Sequence, residues 1–267
     1  MSTTTTKPQD NPLQGIKALT FDVFGTLVSW RPTITSALSS SLLFPQSSPI
    51  SALDLANLWR SSYGHFTTTY DPATDPWKDI DAHHHDSLVS LLTSHGIPLP
   101  TTEGLILLSK TWHFLPPHPD VPAALKTLSK HYKTATLSNG NTTLLHDLVK
   151  LGDLTFTSII SAEDFKAYKP NPKVYLGACE KLGGGLEPGQ VAMVAAHLGD
   201  LQAARSLGFK TVYIERLGEE SWSAEEERYK AAREWVDVWV EEGESGLLEV
   251  VRRLGLEEEE EVKSLNT

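Results

Sequence analysis

The chain has 267 residues, 40% of them hydrophobic and 21% charged, a composition ordinary for a globular protein with a sizeable core. Its formal net charge is -11 and its pI about 5.3. That field would repel a phosphate backbone and argues against nucleic acid as a partner, although part of the excess sits in the acidic run Glu257–Glu261.

Residues 1–14 read as a disordered leader, because Met1–Asp10 is Thr-rich and polar and lacks the apolar segment of a secretory signal. The apolar, β-favouring run Ile16–Phe21 comes next and ends at Asp22-Val-Phe-Gly-Thr26. Such a run bounded by a Gly turn fits a buried parallel strand. Asp22 then stands at the strand's carboxyl end, where open α/β sheets bind ligands. A Ser-rich loop, Ser39–Ser51, precedes three helical patterns at Ile50–Tyr70, Ile80–His95 and Glu103–Phe114. The second pattern carries His83-His-His85, which looks like a metal tract but puts adjacent rings in different directions, against a single-metal site.

A helix is expected over Val121–His131, then a strand at Lys133–Leu137, the turn Ser138-Asn-Gly-Asn141 and a helix at Thr142–Leu151. A short strand, Ser158–Ile160, and a helix, Lys173–Leu182, follow. That helix holds Cys179, the only cysteine, so no intrachain disulfide can form and a reducing compartment suits the chain. Gly183-Gly-Gly185 is not in a phosphate-loop pattern and is expected to end that helix. Strands at Val191–Val194, Thr211–Ile214 and Val236–Val240 alternate with helices at Asp200–Leu207 and Leu247–Leu254. No apolar stretch reaches the roughly 18 residues of a membrane span, so a soluble, cytoplasmic protein is expected.

Alternating strands and helices indicate an α/β fold with a doubly wound parallel sheet. The segment between Phe21 and Lys133 far exceeds the roughly 30 residues of a βαβ unit. The excess reads as an inserted helical cap over residues 30–115, with an α/β core over 15–29 and 116–255 and an acidic tail over 256–267. A cap above the carboxyl end of the sheet would enclose Asp22 and exclude water.

Four motifs carry a family resemblance. Phe21-Asp-Val-Phe-Gly-Thr-Leu27, Leu137-Ser-Asn-Gly140, Lys169-Pro-Asn-Pro-Lys-Val-Tyr175 and Val194-Ala-Ala-His-Leu-Gly-Asp200 resemble, in order and spacing, the motifs of the haloacid dehalogenase superfamily. The match runs from about Ile16 to Leu254. Phosphatases of that superfamily carry a leaving-group Asp where this chain has Phe24, and a Mg²⁺-binding Asp where the register places Ala196. A phenyl ring transfers no proton, and phosphoryl transfer without a metal is poorly supported. Both departures are features of the type II (S)-2-haloacid dehalogenases. Leu58-Trp-Arg60 resembles the cap stretch that supplies their substrate-binding Arg, and Thr111–Val121 resembles their return from cap to core.

The resemblance implies a hydrolase acting on carbon–halide bonds without Mg²⁺ or another cofactor, on a small carboxylate substrate. Asp22 would displace halide from a short 2-haloalkanoic acid, giving an ester that water hydrolyses to a 2-hydroxy acid. Lys169 would pair with Asp22 and keep it ionised. Thr26 and Ser138 would hydrogen-bond the Asp22 or substrate carboxylate, and the backbone amides of Phe24 and Gly25 would serve as oxyanion donors. Arg60 would bind the substrate carboxylate or the halide. Asn139 would line the pocket, Tyr175 falls on a tyrosine of the third motif, and Asp200 would orient Lys169 or the water. The fourth motif departs from the family at Ala195 and His197, which stand where Ser and Asn are usual. His197 would activate water, since a histidine titrates near operating pH. Gly199 stands where a bulky aromatic is usual and widens the pocket. The alternatives are a phosphatase or other hydrolase on a small metabolite, and a non-catalytic binding protein of the same fold. Oligomeric state stays open, a homodimer included; no membrane partner is expected.

Overall fold

The computed structural model describes residues 11–39 and 48–256. The acidic run Glu257–Glu261, the start of the leader and most of the Ser-rich loop lie outside the described residues; of the leader, Leu13 is buried. Five strands form one sheet in the order β2-β1-β3-β4-β5. They are β1 (Ala18–Phe21), β2 (Lys133–Thr136), β3 (Val191–Ala195), β4 (Lys210–Ile214) and β5 (Val238–Val240), and every pairing is parallel. β1 and β3 are buried along their whole length, as continuous apolar strands of a two-sided sheet must be. After β1 the chain pairs first to one side and later, through β3, to the other. β1 and β3 therefore flank the switch point at which ligands bind in this topology.

The register brings the strand ends together. Phe21 sits opposite both Thr136 and Val194. The ladder runs one step further, with Asp22 N–H donating to Val194 O at 2.9 Å and Leu137 N–H to Phe21 O at 2.7 Å. Asp22, Ser138 and Ala196 thus emerge at one level.

The strand expected at Ser158–Ile160 is reduced to isolated bridges, Ala135 with Ser158 and Ser138 with Ser161. Backbone bonds persist from Ser158 N–H to Thr134 O and from Thr136 N–H to Ser158 O, and side chains supplement them: Thr136 Oγ1 donates to Ile160 O at 3.0 Å and accepts from Ile160 N–H at 2.9 Å, while the Thr134 and Thr157 hydroxyls each accept from the other's N–H. The helices α5 (Val121–His131), α6 (Thr142–Leu151), α7 (Pro172–Leu182), α8 (Leu198–Ser206), α9 (Glu227–Trp235) and α10 (Leu247–Arg253) flank the sheet. Gly183, with φ +69°, closes α7. The polar helix α9 escapes the sequence pattern because only Ala232 of it is buried.

Between β1 and β2 lie α1 (Arg31–Ser39), α2 (Ala52–Thr69), α3 (Ile80–Ser94) and α4 (Thr102–Ser109), followed by a 3₁₀ turn at Lys110–Phe114. α1 also went unread, since its short Ser/Thr-rich sequence buries only Ile34 and Leu38. Trp59 and Trp112 pack edge to face at 5.5 Å in the centre of this helical unit. His83 stacks on Phe66 at 4.4 Å and His84 on Trp112 at 4.6 Å. Burial pushes His83 down to about 4 and His84 well below its ordinary value, so both are neutral packing groups.

Two chain crossings join the helical unit to the sheet. Ser29 N–H donates to Pro116 O and His118 N–H to Leu27 O, each at 2.9 Å. A third link runs through His113, held by Asp81 of α3 at 2.8 Å and by Asp147 of α6 at 2.7 Å.

Candidate active site

The loop after β1 folds tightly on itself. Leu27 and Val28 N–H both donate to Val23 O, and Gly25 N–H donates to Val28 O at 3.0 Å. The loop needs φ +78° at Gly25, a conformation that glycine adopts without strain. It returns Thr26 beneath Asp22, where the hydroxyl donates to Asp22 Oδ2 at 2.8 Å while accepting from Ala196 N–H at 2.9 Å. Gly25 N–H, expected to be an oxyanion donor, is thus already spent on Val28.

Lys169 reaches the same carboxylate from the loop before α7. Asn139 fixes that loop: its Oδ1 accepts from Lys169 N–H at 2.7 Å and its Nδ2 donates to Lys169 O at 3.3 Å. Lys169 Nζ donates to Asp22 Oδ1 at 3.0 Å and to Asp200 Oδ2 at 2.5 Å, and Tyr175 OH donates to Asp200 Oδ1 at 2.6 Å. The Ser138 hydroxyl accepts from Gly140 N–H at 3.2 Å, which shapes the turn, and among the described residues it makes no bond to Asp22.

The charges explain one another. Burial would raise the Asp22 carboxyl, yet the Lys169 ammonium and His197 hold it well below the usual carboxylate range. Burial disfavours the Lys169 ammonium, but Asp200 and Asp22 outweigh that and keep it charged. Burial raises Asp200 even beside Lys169. Asp22 is therefore an anion at neutral pH, with one donor on Oδ1 and two on Oδ2.

His197 differs from the expectation of a water-activating base. Its Nδ1 lies 3.0 Å from Asp22 Oδ2 and its Nε2 3.7 Å from Glu219 Oε2. Burial pulls the imidazole down, but the bonds to Asp22 and Glu219 outweigh it and push it up to about 9. At neutral pH it is an imidazolium that donates to Asp22. Sequence reasoning missed Glu219. It follows β4, the strand beside β3, and its place at a strand's carboxyl end was the only signal.

Above these groups lies a cavity of about 450 Å³ whose lining includes Arg60, Tyr63, Asn139, Tyr175, His197 and Gly199. Arg60 sits over the rings of Tyr63, at 4.6 Å, and Phe24, at 6.0 Å. It bonds the Tyr63 hydroxyl and makes no ion pair within 4 Å among the described residues, and it lines the cavity. Phe24 is buried between Tyr63 and Trp112, and its N–H meets no acceptor among the described residues. Among the described residues no three His, Cys, Asp or Glu side chains are grouped to hold a metal ion. A buried carboxylate anion and a guanidinium on one cavity suit an anionic substrate with an electrophilic carbon.

The chain is similar to known proteins over most of its length. Residues 16–208 match the family model described as haloacid dehalogenase-like hydrolase. The chain is 32% identical to (S)-2-haloacid dehalogenase 4A of Burkholderia cepacia over 213 residues, 77% of this chain and 86% of that one. It is similar to a solved L-2-haloacid dehalogenase, with a TM-score of 0.74 and 35% identity over 90% of this chain and 99% of the other. A defluorinating L-2-haloacid dehalogenase gives a TM-score of 0.78 and 30% identity over 93% of this chain and 100% of the other.

Proposed function

The chain belongs to the haloacid dehalogenase-like hydrolases, and from that membership we propose that it displaces halide from short 2-haloalkanoic acids, with Asp22 as nucleophile and a 2-hydroxy acid as product. The observation that carries this reading is Asp22 itself: an anion held by Lys169, on the floor of a cavity, with buried Phe24 where an acid would serve a phosphatase. Halide is a weak base and leaves without a proton, so Phe24 costs the reaction nothing.

Arg60 binds the substrate carboxylate from the α2 side. Oδ1, with one donor, keeps the freer lone pair and attacks the halogen-bearing carbon from the face opposite the halogen. The carbon–halogen bond breaks, halide departs, the centre inverts, and Oδ1 becomes an ester oxygen. Asp200, whose carboxyl burial has raised, takes a proton from water as the oxygen attacks Asp22 Cγ. The electron pair moves to Oδ2, where the Thr26 hydroxyl and the His197 Nδ1–H already point. Collapse breaks Cγ–Oδ1. The product oxygen takes the proton back from Asp200, and the regenerated Asp22 carboxyl releases one proton to solvent.

The test is halide release from 2-chloropropionate and 2-haloacetates, followed by a single turnover in ¹⁸O-labelled water. Label should enter the Asp22 carboxylate. Folded protein that frees no halide from any of these acids sinks the reading, and halide release without label at Asp22 removes the covalent route.

A further inference from the structure

Glu219 is an acid without a role in the steps above, yet its side chain is only 8% exposed. Trp30 Nε1 donates to both of its oxygens, at 2.9 and 3.1 Å, and Arg31 approaches at 3.4 Å. It lies directly over Gly25: a Cβ there would run into its carboxylate. The loop that carries it is tied to His197 a second way, since Glu220 accepts the Leu198 N–H at 2.6 Å. Two elements thus fix Glu219 against the outer nitrogen of His197, whose inner nitrogen faces Asp22.

We propose that Glu219 is a positioning residue for the second half-reaction, holding His197 as a charged donor to Asp22 Oδ2 once Asp22 has become an ester. The inference rests on the covalent reading above. In the resting protein His197 lies between two carboxylates, Asp22 and Glu219. Alkylation cancels the first of these charges. Arg60 of α2 then opposes the imidazolium, Lys169 and Asp200 stand on the far side of Asp22, and Arg31 stands beyond Glu219. Glu219 is the acid that still pairs with the His197 ring, while Glu220 on the same loop is bound to the Leu198 and Trp222 N–H groups. Through Glu219, the proton on Nδ1 stays in place when negative charge develops on Oδ2. The His197 imidazolium and the Thr26 hydroxyl together form the oxyanion site, and His197 neither gains nor loses a proton during the step.

Burial of Glu219 would by itself raise its carboxyl, but His197, Arg60 and Trp30 bring it below its ordinary value, so it is charged wherever the enzyme works. The step that depends on it is therefore limited on the alkaline side, where His197 loses its proton. Removing the Glu219 charge moves that limit to lower pH.

The experiment is rapid-quench halide release and intact-protein mass measurement on wild type and Glu219→Gln with 2-chloropropionate across pH 6–10. In E219Q the halide burst should remain within about twofold of wild type, while ester hydrolysis falls roughly tenfold to a hundredfold, below the loss seen when an oxyanion donor is removed outright. The alkylated protein should accumulate, and the alkaline limb should move down by about one pH unit. Adding E219Q to His197→Gln should slow hydrolysis no further than H197Q alone. Wild-type ester turnover and an unmoved limb in E219Q overturn the proposal, as does additive loss in the double variant. Equal loss of burst and hydrolysis with an unmoved limb also overturns it, because that is the signature of a structural role. Should E219Q not fold, Glu219→Met carries the same test: accumulated ester with a lowered alkaline limb supports the proposal, and wild-type turnover of the ester overturns it. Steady halide release by the wild type with no alkylated intermediate at Asp22 overturns the covalent reading and this inference with it, whereas failure confined to the variants overturns the inference alone.

Discussion

His113 offers a quantitative test of how the helical unit is held on the sheet. Its ring is 3% exposed and spans Asp81 of α3 and Asp147 of α6. Asp81 also accepts from Asn141, at the turn that starts α6. Burial alone would lower the His113 imidazole, yet the bonds to Asp81 and Asp147 raise it above its ordinary value. Asp81 is lowered, chiefly by the His113 bond against the cost of burial. Hydrogen bonds to charged groups contribute about 1.5–3 kcal/mol each when sheltered. Here the carboxylate sides are 29% and 53% exposed, so water screens them and about 0.5–1 kcal/mol each is the appropriate figure. His113→Gln should therefore cost about 1–2 kcal/mol, or roughly 2–8 °C in Tm for a chain of this size.

The pH dependence has a definite sign. A raised histidine contributes fully below its unfolded pKa of about 6.5, and the contribution fades as pH rises through the folded value. A lowered aspartate contributes above its unfolded value of about 3.9 and fails in acid. The gap in Tm between wild type and H113Q should be widest between about pH 4 and 6.5 and should close towards pH 9. Differential scanning calorimetry at pH 5.5 and 9 measures it. A gap that is flat with pH, or that widens in base, refutes the reasoning.

Other perturbations test the site. Lys169→Met leaves Asp22 and Asp200 facing each other without the ammonium, and two unit charges about 5 Å apart at an effective dielectric of 20 repel by about 3 kcal/mol. The pair should relieve that by keeping one proton, so potentiometric titration should find K169M holding about one proton more than the charge difference predicts at pH 6; equal proton content would count against the coupled pair. Gly25→Ala must place a side chain at φ +78° and displace Glu219, with about 1–2 kcal/mol of backbone strain. It should show the accumulated ester of E219Q by mass measurement, and wild-type ester turnover would exclude this. Tyr175→Phe removes the 2.6 Å bond to Asp200 and should lower stability by about 1.5–3 kcal/mol in urea unfolding; a change under about 0.5 kcal/mol would show that the bond is not formed.

Much of the site was legible in the linear chain because its parts are local. A buried apolar run that stops at Asp22, then a Gly-containing turn that returns Thr26, is a short-range geometry, and Asp22, Phe24, Gly25 and Thr26 lie within five residues. The Ser-Asn-Gly turn and the loop before α7 are local in the same sense. What each side chain does there depended on longer-range contacts. Asn139 holds the Lys169 backbone, and Ser138 accepts from Gly140 N–H at the turn. The adjacent histidines of α3 turned out to be packing groups, because Phe66 and Trp112 come to them from other segments.

By itself, then, the sequence determined the alternation that makes a doubly wound parallel sheet, the position of Asp22 at a strand end, and the absence of an acid at Phe24 and of a carboxylate at Ala196. Those follow from residue type and short-range periodicity. Only the tertiary structure decided the charge state of His197, since that depends on two carboxylates 175 and 22 positions away in the chain. It alone drew Glu219 into the site, because the order of strands brings the loops after β1, β3 and β4 to one edge. Electrostatic energy falls with distance through space and takes no account of distance along the chain.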